Sequence, residues 1–144
     1  RYMDSEWCET LDDAEMFIRR QQEANKDNNG AVYSIFLKEN ESRAVGHAGF
    51  WRIDKQHFRG EIGYALNPDC WGKGLMEEAL SKIIQNAFIT LNLHSVGANV
   101  NTDNNASIKL LAKLGFKREA HFRENYFYDG EFKDSFIYSL LKTD

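Results

Sequence analysis

The sequence predicts a mixed α/β sheet, mostly antiparallel and flanked by helices, on three observations. Residues Glu61 to Leu80 read EIGYALNPDCWGKGLMEEAL. A short apolar run, a turn with Gly72 and Gly74 and an amphipathic run follow one another there, which is a strand, a turn and a helix in series. Near the C-terminus, Tyr128-Asp129-Gly130-Glu131 joins two β-rich runs, and Asp-Gly is a strong hairpin signal. After an opening helix the elements follow the order β-β-β-α-β-α-β-β, which mixes the two element types around one sheet.

Each element has a local justification. Thr10-Leu11-Asp12-Asp13 resembles a capping box, and Phe17 and Ile18 supply an apolar face for a helix through about Asn25. Asn28-Asn29-Gly30 ends it. Ala31 to Lys38 is rich in β-formers, Glu39 to Arg43 is read as a polar turn, and Ala44 to Ile53 as the next strand, so the two make a hairpin. Asp54 to Gly60 is a polar loop into the apolar run Ile62 to Leu66. After the glycine turn, Leu75, Ala79, Leu80, Ile83, Ile84, Ala87, Phe88 and Leu91 recur at helical spacing as a core-facing stripe. Leu93 to Val100 is a strand with Val96, Ala98 and Val100 alternating. Asn104 begins a short helix that Gly115 closes. Lys117 to Phe127 and Phe132 to Leu141 are the last two strands.

With 144 residues, 42% hydrophobic and 28% charged, the chain can build a real core as one domain, residues 1–144. Its net charge of −4 argues against nucleic acid as partner, which a basic protein would favour. Cys8 and Cys70 make neither a disulfide framework nor a metal-ligand pattern, so a reducing cytoplasm is the expected location. No apolar run approaches membrane-spanning length, and no membrane partner is expected. His47, His57, His94 and His121 are scattered without ligand spacing, and no metal is expected.

A helix start aims unpaired N–H groups and a positive dipole end at whatever lies above it, and glycines let an anion approach the backbone. Two nucleotide motifs are excluded. Lys73 is followed by Gly74 and not by Ser or Thr, and Glu77 stands where a dinucleotide fingerprint needs its third glycine. Downstream, Asn104 to Phe116 reads NNASIKLLAKLGF. Glu61-Ile62-Gly63-Tyr64, Trp71-Gly72-Lys73-Gly74, Glu78-Ala79, Asn104-x-x-Ser107, Leu114-Gly115-Phe116, Arg123-Glu124-Asn125, Gly130-x-x-x-Asp134 and Tyr138-Ser139-Leu140-Leu141 follow in order over nearly the whole chain. This ordered set resembles the GNAT N-acetyltransferases, and most closely the RimJ/RimL branch, which acetylates N-termini of ribosomal proteins.

The resemblance implies the GNAT acyl-CoA N-acyltransferase fold, acetyl-CoA as co-substrate and no metal. Members usually begin with a strand and a helix that are not evident before the first elements here, so an N-terminal segment is expected to be missing. The backbone of Trp71, Gly72, Lys73, Gly74, Leu75 and Met76 would cradle the pyrophosphate, with Met76 a bulkier residue beside it than the family's Gly or Ala. Tyr64, Ala65, Leu66 and Asn67 would pair with the pantetheine arm. The family's strand splays here and leaves an N–H near Leu66 for the thioester oxygen. Asn104 would bond the pantetheine arm besides capping its helix, a cap that stabilises by roughly 1 kcal/mol.

Transfer from a thioester to an amine needs the amine deprotonated, the oxyanion stabilised and the thiolate protonated. Glu61 at the strand start is the first candidate base, with Asp134 and Glu124 as alternatives. Many GNAT enzymes place an acidic Tyr seven residues after the motif Asn. Leu111 stands there, so Ser107 is the candidate acid, with Tyr126 as another. The expected reaction is direct attack in a ternary complex. The expected acceptor is a protein or peptide N-terminal amine; a small amine such as a polyamine or aminoglycoside is the alternative. A non-catalytic acyl-CoA-binding module is the rival from another class. A homodimer is an expectation from the resemblance alone.

Overall fold

The computed structural model describes residues 29–144 together with Met16, Arg19, Gln22 and Glu23, and these four are helical. Cys8, the capping box at Thr10 and the positions Phe17, Ile18 and Asn25 lie outside the described residues.

Six strands form one sheet: β1 Ala31–Leu37, β2 Asn40–Asp54, β3 Arg59–Leu66, β4 Ser95–Asn101, β5 Lys117–Tyr128 and β6 Glu131–Leu141. Their order across the sheet is β1-β2-β3-β4-β6-β5. Every neighbouring pair is antiparallel except β3 with β4. Between these strands lie α1 Leu75–Ile89 and α2 Asn105–Lys113. This is the mixed, mostly antiparallel sheet the sequence predicts.

The polar turn expected at Glu39 to Arg43 is shorter than that. The chain reverses at Lys38 and Glu39, and Leu37 already faces Asn40. A two-residue turn lets Asn40 pair with Leu37, and residues 41–43 bulge before Ala44 meets Phe36 at the exposed end of β2, where side chains need no core. At the other hairpin, Asp129 (φ 53°) and Gly130 (φ 80°) take the two left-handed positions that Asp-Gly implies.

The core lies on one face. Ala48, Phe50, Ile62, Val96, Ala98, Val100, Tyr138 and Leu140 alternate along the strands toward Leu80, Ile83, Ile84 and Ala87 of α1 and Leu111 of α2. The α1 stripe is rotated slightly from expectation, because Met76 is buried while Leu75 and Ala79 are only half-buried. Leu111 is fully buried. Leu111→Ala should therefore destabilise the protein by about 2–5 kcal/mol through the cavity it leaves, read as a fall in the urea midpoint. Cys70 is also buried, in a single 3-10 turn, Pro68–Cys70, that links β3 to the glycine turn.

Candidate functional site

β3 and β4 run parallel for only three rungs, Arg59↔Ser95, Gly60↔Val96 and Glu61↔Gly97. Beyond Glu61 the two strands part, while β3 stays paired to β2 as far as Leu66. The Asn67 N–H donates to Val45 O at 2.8 Å, so the Asn67 amide faces β2. Backbone direction alternates along a strand, so the Tyr64 and Leu66 amides face the opening between β3 and β4. The Leu66 carbonyl there accepts from Trp71 Nε1 at 2.8 Å. Its N–H lies on the same side. An extended chain carrying amides could pair with this edge as another strand would.

Above the opening the chain turns into α1. Asn67 Oδ1 accepts the Asp69 N–H at 3.1 Å and fixes the 3-10 turn. Gly72 and Gly74 take φ 72° and 74°, the left-handed region that side chains disfavour. A Cβ placed on either would meet nothing within 4 Å. Gly74 caps α1 without a side-chain hydrogen bond, so the first N–H groups of α1 are open to an anion. The Met76 side chain does not crowd this spot, contrary to expectation: it points into the core. The Lys73 ammonium donates to Asp69 O at 3.0 Å at the exposed edge of the turn.

Across the opening, Asn104 Oδ1 accepts the Ser107 N–H at 3.1 Å and caps α2. The first turn of α1 is tied to the end of α2 by Lys113 Nζ to Glu77 Oε2 at 2.6 Å. The Tyr64 ring packs on the core from β3, and its Oη is buried without completing a hydrogen bond. Burial pushes the Tyr64 pKa up, and the neighbouring Ser107 side chain pulls it partly back.

Glu61 lies on the other face of the sheet, since its neighbour Ile62 points into the core. Its carboxylate accepts from Arg52 Nη2 at 3.1 Å and is half-exposed. Arg59 on the same face lies over Gly97, its Nη2 3.2 Å from where a Cβ would sit. The Trp51 ring fills the space above Gly63, and His47 meets Trp51 edge-on with centroids 5.7 Å apart. Burial lowers the His47 pKa, which favours the neutral ring. Glu61 and Ser107 thus stand on opposite faces, and the opening between β3 and β4 joins them.

The two alternative bases lie elsewhere, on the tail hairpin. Asp134 Oδ1 accepts the Glu124 N–H at 2.9 Å and Oδ2 meets His121 Nε2 at 2.6 Å. Glu124 has φ 47° inside an irregular stretch of β5, Phe122 to Tyr126, which spans only Lys133 to Ser135 of β6. Asp134 therefore fastens a bulge, with both oxygens engaged. The bulge sets Asn125 Nδ2 on Ser135 Oγ at 2.8 Å and Tyr126 Oη on Asn101 Nδ2 at 2.7 Å.

The Glu124 N–H first, and His121 second, hold the Asp134 carboxyl below its ordinary range. A carboxyl depressed in the folded state supplies stability that is complete above about pH 4 and is lost as pH falls through the folded pKa. Asp134→Asn should accordingly lower the urea midpoint at pH 7 and lose less of it than the parent on acidification to about pH 3.

Most of the sequence-predicted residues come together. The amides of Tyr64 and Leu66 line one side of the opening while those of Ala65 and Asn67 face β2, Trp71 reaches back to the Leu66 carbonyl at the start of the glycine turn, and Ser107, its N–H held by Asn104, neighbours Tyr64. Trp51, His47 and Arg52 were not singled out. A glycine at position 63 in an otherwise apolar strand was the available signal, because it leaves room for a ring on the neighbouring strand. Among the described residues no group of acidic, His and Cys side chains could hold a metal ion, and no helix is long and apolar enough to cross a membrane.

Residues 1–117 match the family model described as an acetyltransferase (GNAT) domain. An uncharacterized N-acetyltransferase, p20, of Bacillus licheniformis is 40% identical over 78% of this chain, which spans 62% of that protein. The uncharacterized N-acetyltransferase YoaA of Bacillus subtilis is 32% identical over 99% of this chain and 80% of its own length. The [ribosomal protein uS5]-alanine N-acetyltransferase of Escherichia coli is 31% identical over 79% of this chain and 59% of its own length. Among solved structures, a ribosomal-protein-S5-alanine acetyltransferase from Vibrio fischeri superposes with a TM-score of 0.89 at 25% identity, covering 99% of this chain and 79% of that one. A spermidine N-acetyltransferase from Vibrio cholerae, solved with CoA and spermine, shares the fold at a TM-score of 0.86 and 22% identity, covering 99% and 81%. The six-stranded sheet that opens between β3 and β4, and the match over residues 1–117, lead to one conclusion: the chain belongs to the GNAT acetyltransferase family.

Proposed function

We propose that the chain transfers acetyl from acetyl-CoA to the α-amine at the N-terminus of a protein or peptide, by direct attack in a ternary complex. The observation that carries this reading is the end of β3–β4 pairing at Glu61↔Gly97, which leaves the Tyr64 and Leu66 amides facing an opening between two differently equipped faces. The pantetheine arm pairs with Tyr64 and Leu66, and Asn104 meets it from α2. The pyrophosphate rests on the backbone from Trp71 to Met76, where two glycines leave open space. The thioester oxygen sits at the Leu66 N–H, a donor fixed in place before the reaction begins. Glu61 takes the proton of the attacking amine, the C–N bond forms, and the C–S bond breaks toward Ser107, whose hydroxyl hydrogen-bonds the leaving sulfur. Positioning both reactants accounts for much of the rate, and no covalent enzyme intermediate is needed.

The charges beside Glu61 support this acceptor. Arg52 pairs with that carboxylate and Arg59 lies over Gly97 on the same face. A polyamine or aminoglycoside would bring several positive charges to these two guanidiniums, which disfavours it. A single α-amine on a peptide needs one carboxylate, and the Trp51 ring gives its first side chain an apolar surface. The test is thiol release from acetyl-CoA with three separate acceptor pools: peptides of varied N-termini, polyamines and aminoglycosides. Release with peptides alone is the expected result. Release with polyamines alone would move the acceptor to the small amines. Binding of acetyl-CoA without release from any pool would favour a cofactor-binding module.

A further inference from the structure

Glu61 and the Leu66 N–H lie at opposite ends of one stretch of β3. Side chains of Glu61, Gly63 and Ala65 share a face, and at the rise of a strand Glu61 and Ala65 are about 13 Å apart. That is farther than one glutamate side chain reaches, and the Glu61 carboxylate is also engaged by Arg52. A proton lost by an amine at the Leu66 end therefore needs a carrier to Glu61. His47 stands at the right level. It pairs with Ala65 across β2 and β3, which puts the two side chains on this face with Cβ atoms about 5 Å apart. Its ring is half-buried and meets Trp51 edge-on, and Trp51 covers Gly63 on the way to Glu61. On the other side, β1 sets the uncharged Ser34 opposite His47.

We propose that His47 is a further catalytic residue: its imidazole takes the proton of the attacking amine and passes it through water to Glu61. This rests on the reading that seats the thioester at Leu66. The amine lone pair forms the C–N bond, the N–H pair stays on nitrogen as the proton moves to the ring, and the C–S pair leaves with sulfur, which takes its proton from solvent. The imidazolium returns to neutral as its proton passes to water and the Glu61 carboxylate. Burial lowers the His47 pKa from its ordinary value of 6.5, so the ring is neutral at pH 7 and free to accept a proton.

His47→Ala and His47→Gln test this in the full chain at pH 7, with kcat for the acceptor pool that the parent uses, acetyl-CoA Kd and thermal midpoints. Both variants are expected to lower kcat about 100-fold, the size of losing one general base, with Kd within about twofold of the parent. Added imidazole is expected to restore His47→Ala at least about fivefold above the protein-free rate, while pyrrole, a ring of the same size without a basic nitrogen, restores nothing. Combining His47→Gln with Glu61→Gln is expected to be little slower than the slower single variant, because both serve one proton. Equal rescue by imidazole and pyrrole would make His47 a packing residue and overturn the proposal. Fold-losses that multiply in the double variant would overturn the relay, and an unchanged kcat in His47→Gln would overturn the role of His47 while leaving the acetyltransferase reading intact. A parent that releases thiol with no pool would overturn that reading and this inference with it.

Discussion

Glu61→Gln is expected to lower kcat/KM for acetyl transfer about 100-fold at pH 7, with acetyl-CoA Kd unchanged. The size is that of losing one general base. Gln has nearly the volume of Glu and can still accept from Arg52 Nη2, which stands 3.1 Å from the carboxylate, so the strand pairing and the local packing stay. What disappears is the proton acceptor on the face opposite Tyr64 and Ser107. The deficit should shrink as pH rises through the pKa of the acceptor's own amine, about 8 for an α-amine, because the free amine needs no base. An enzyme that is slow at pH 7 and close to the parent at about pH 9.5 would establish proton removal as the role of Glu61. A deficit constant across pH would make Glu61 a binding group, and unchanged kinetics would remove it from the mechanism. Glu124 and Asp134 are poorer alternatives on geometry, since Asp134 spends both oxygens on the bulge that Glu124 occupies.

The parts of this site that were legible in the sequence are those set by neighbours along the chain. Asn104 reads as an N-cap because its side chain serves an N–H three residues on, and it does so. Asp129-Gly130 reads as a hairpin because two successive left-handed residues need that chemistry. The glycine turn before α1 is legible for the same reason. The β3–β4 divergence and the free edge near Leu66 came from the family resemblance and not from the residues themselves. A strand carries no local mark of where its partner leaves it. Contacts across strands were not legible either. Trp51 over Gly63, the Trp71 indole on the Leu66 carbonyl and the nearness of Tyr64 to Ser107 each depend on register, and a one-residue slip would reverse every face. The burial of Met76 shows the same limit in a helix. Leu75 and Met76 both fit an apolar stripe, and only the angle at which α1 meets the sheet decides between them. That choice matters here, since it takes a bulky side chain out of the anion site and leaves the turn to its glycines.

Gly74→Val therefore has the other large expected effect, a weakening of acetyl-CoA affinity of at least about 30-fold, or roughly 2 kcal/mol. Two causes act together. The backbone at Gly74 has φ 74°, which a β-branched residue adopts only at a cost of about 1–3 kcal/mol. The space where its side chain would go is empty of protein, with no heavy atom within 4 Å of the Cβ position, and it is the space in front of the first α1 N–H groups. Val would both strain the turn and stand where phosphate oxygens approach. Gly72→Val compares the start of the cradle with the helix start. It carries the same strain, with φ 72° and the same open surroundings, but lies two residues before the N-cap. If the helix start is the phosphate site, Gly74→Val weakens binding of acetyl-CoA and of free CoA by the same factor, and by more than Gly72→Val does. The same Gly74→Val factor should hold for adenosine 3′-phosphate 5′-diphosphate, and vanish for pantetheine fragments without phosphate. Retained affinity in Gly74→Val, with the fold intact by circular dichroism, would place the pyrophosphate elsewhere. The remaining landmark would then be the free edge at Tyr64 and Leu66, which suits amides and not phosphates.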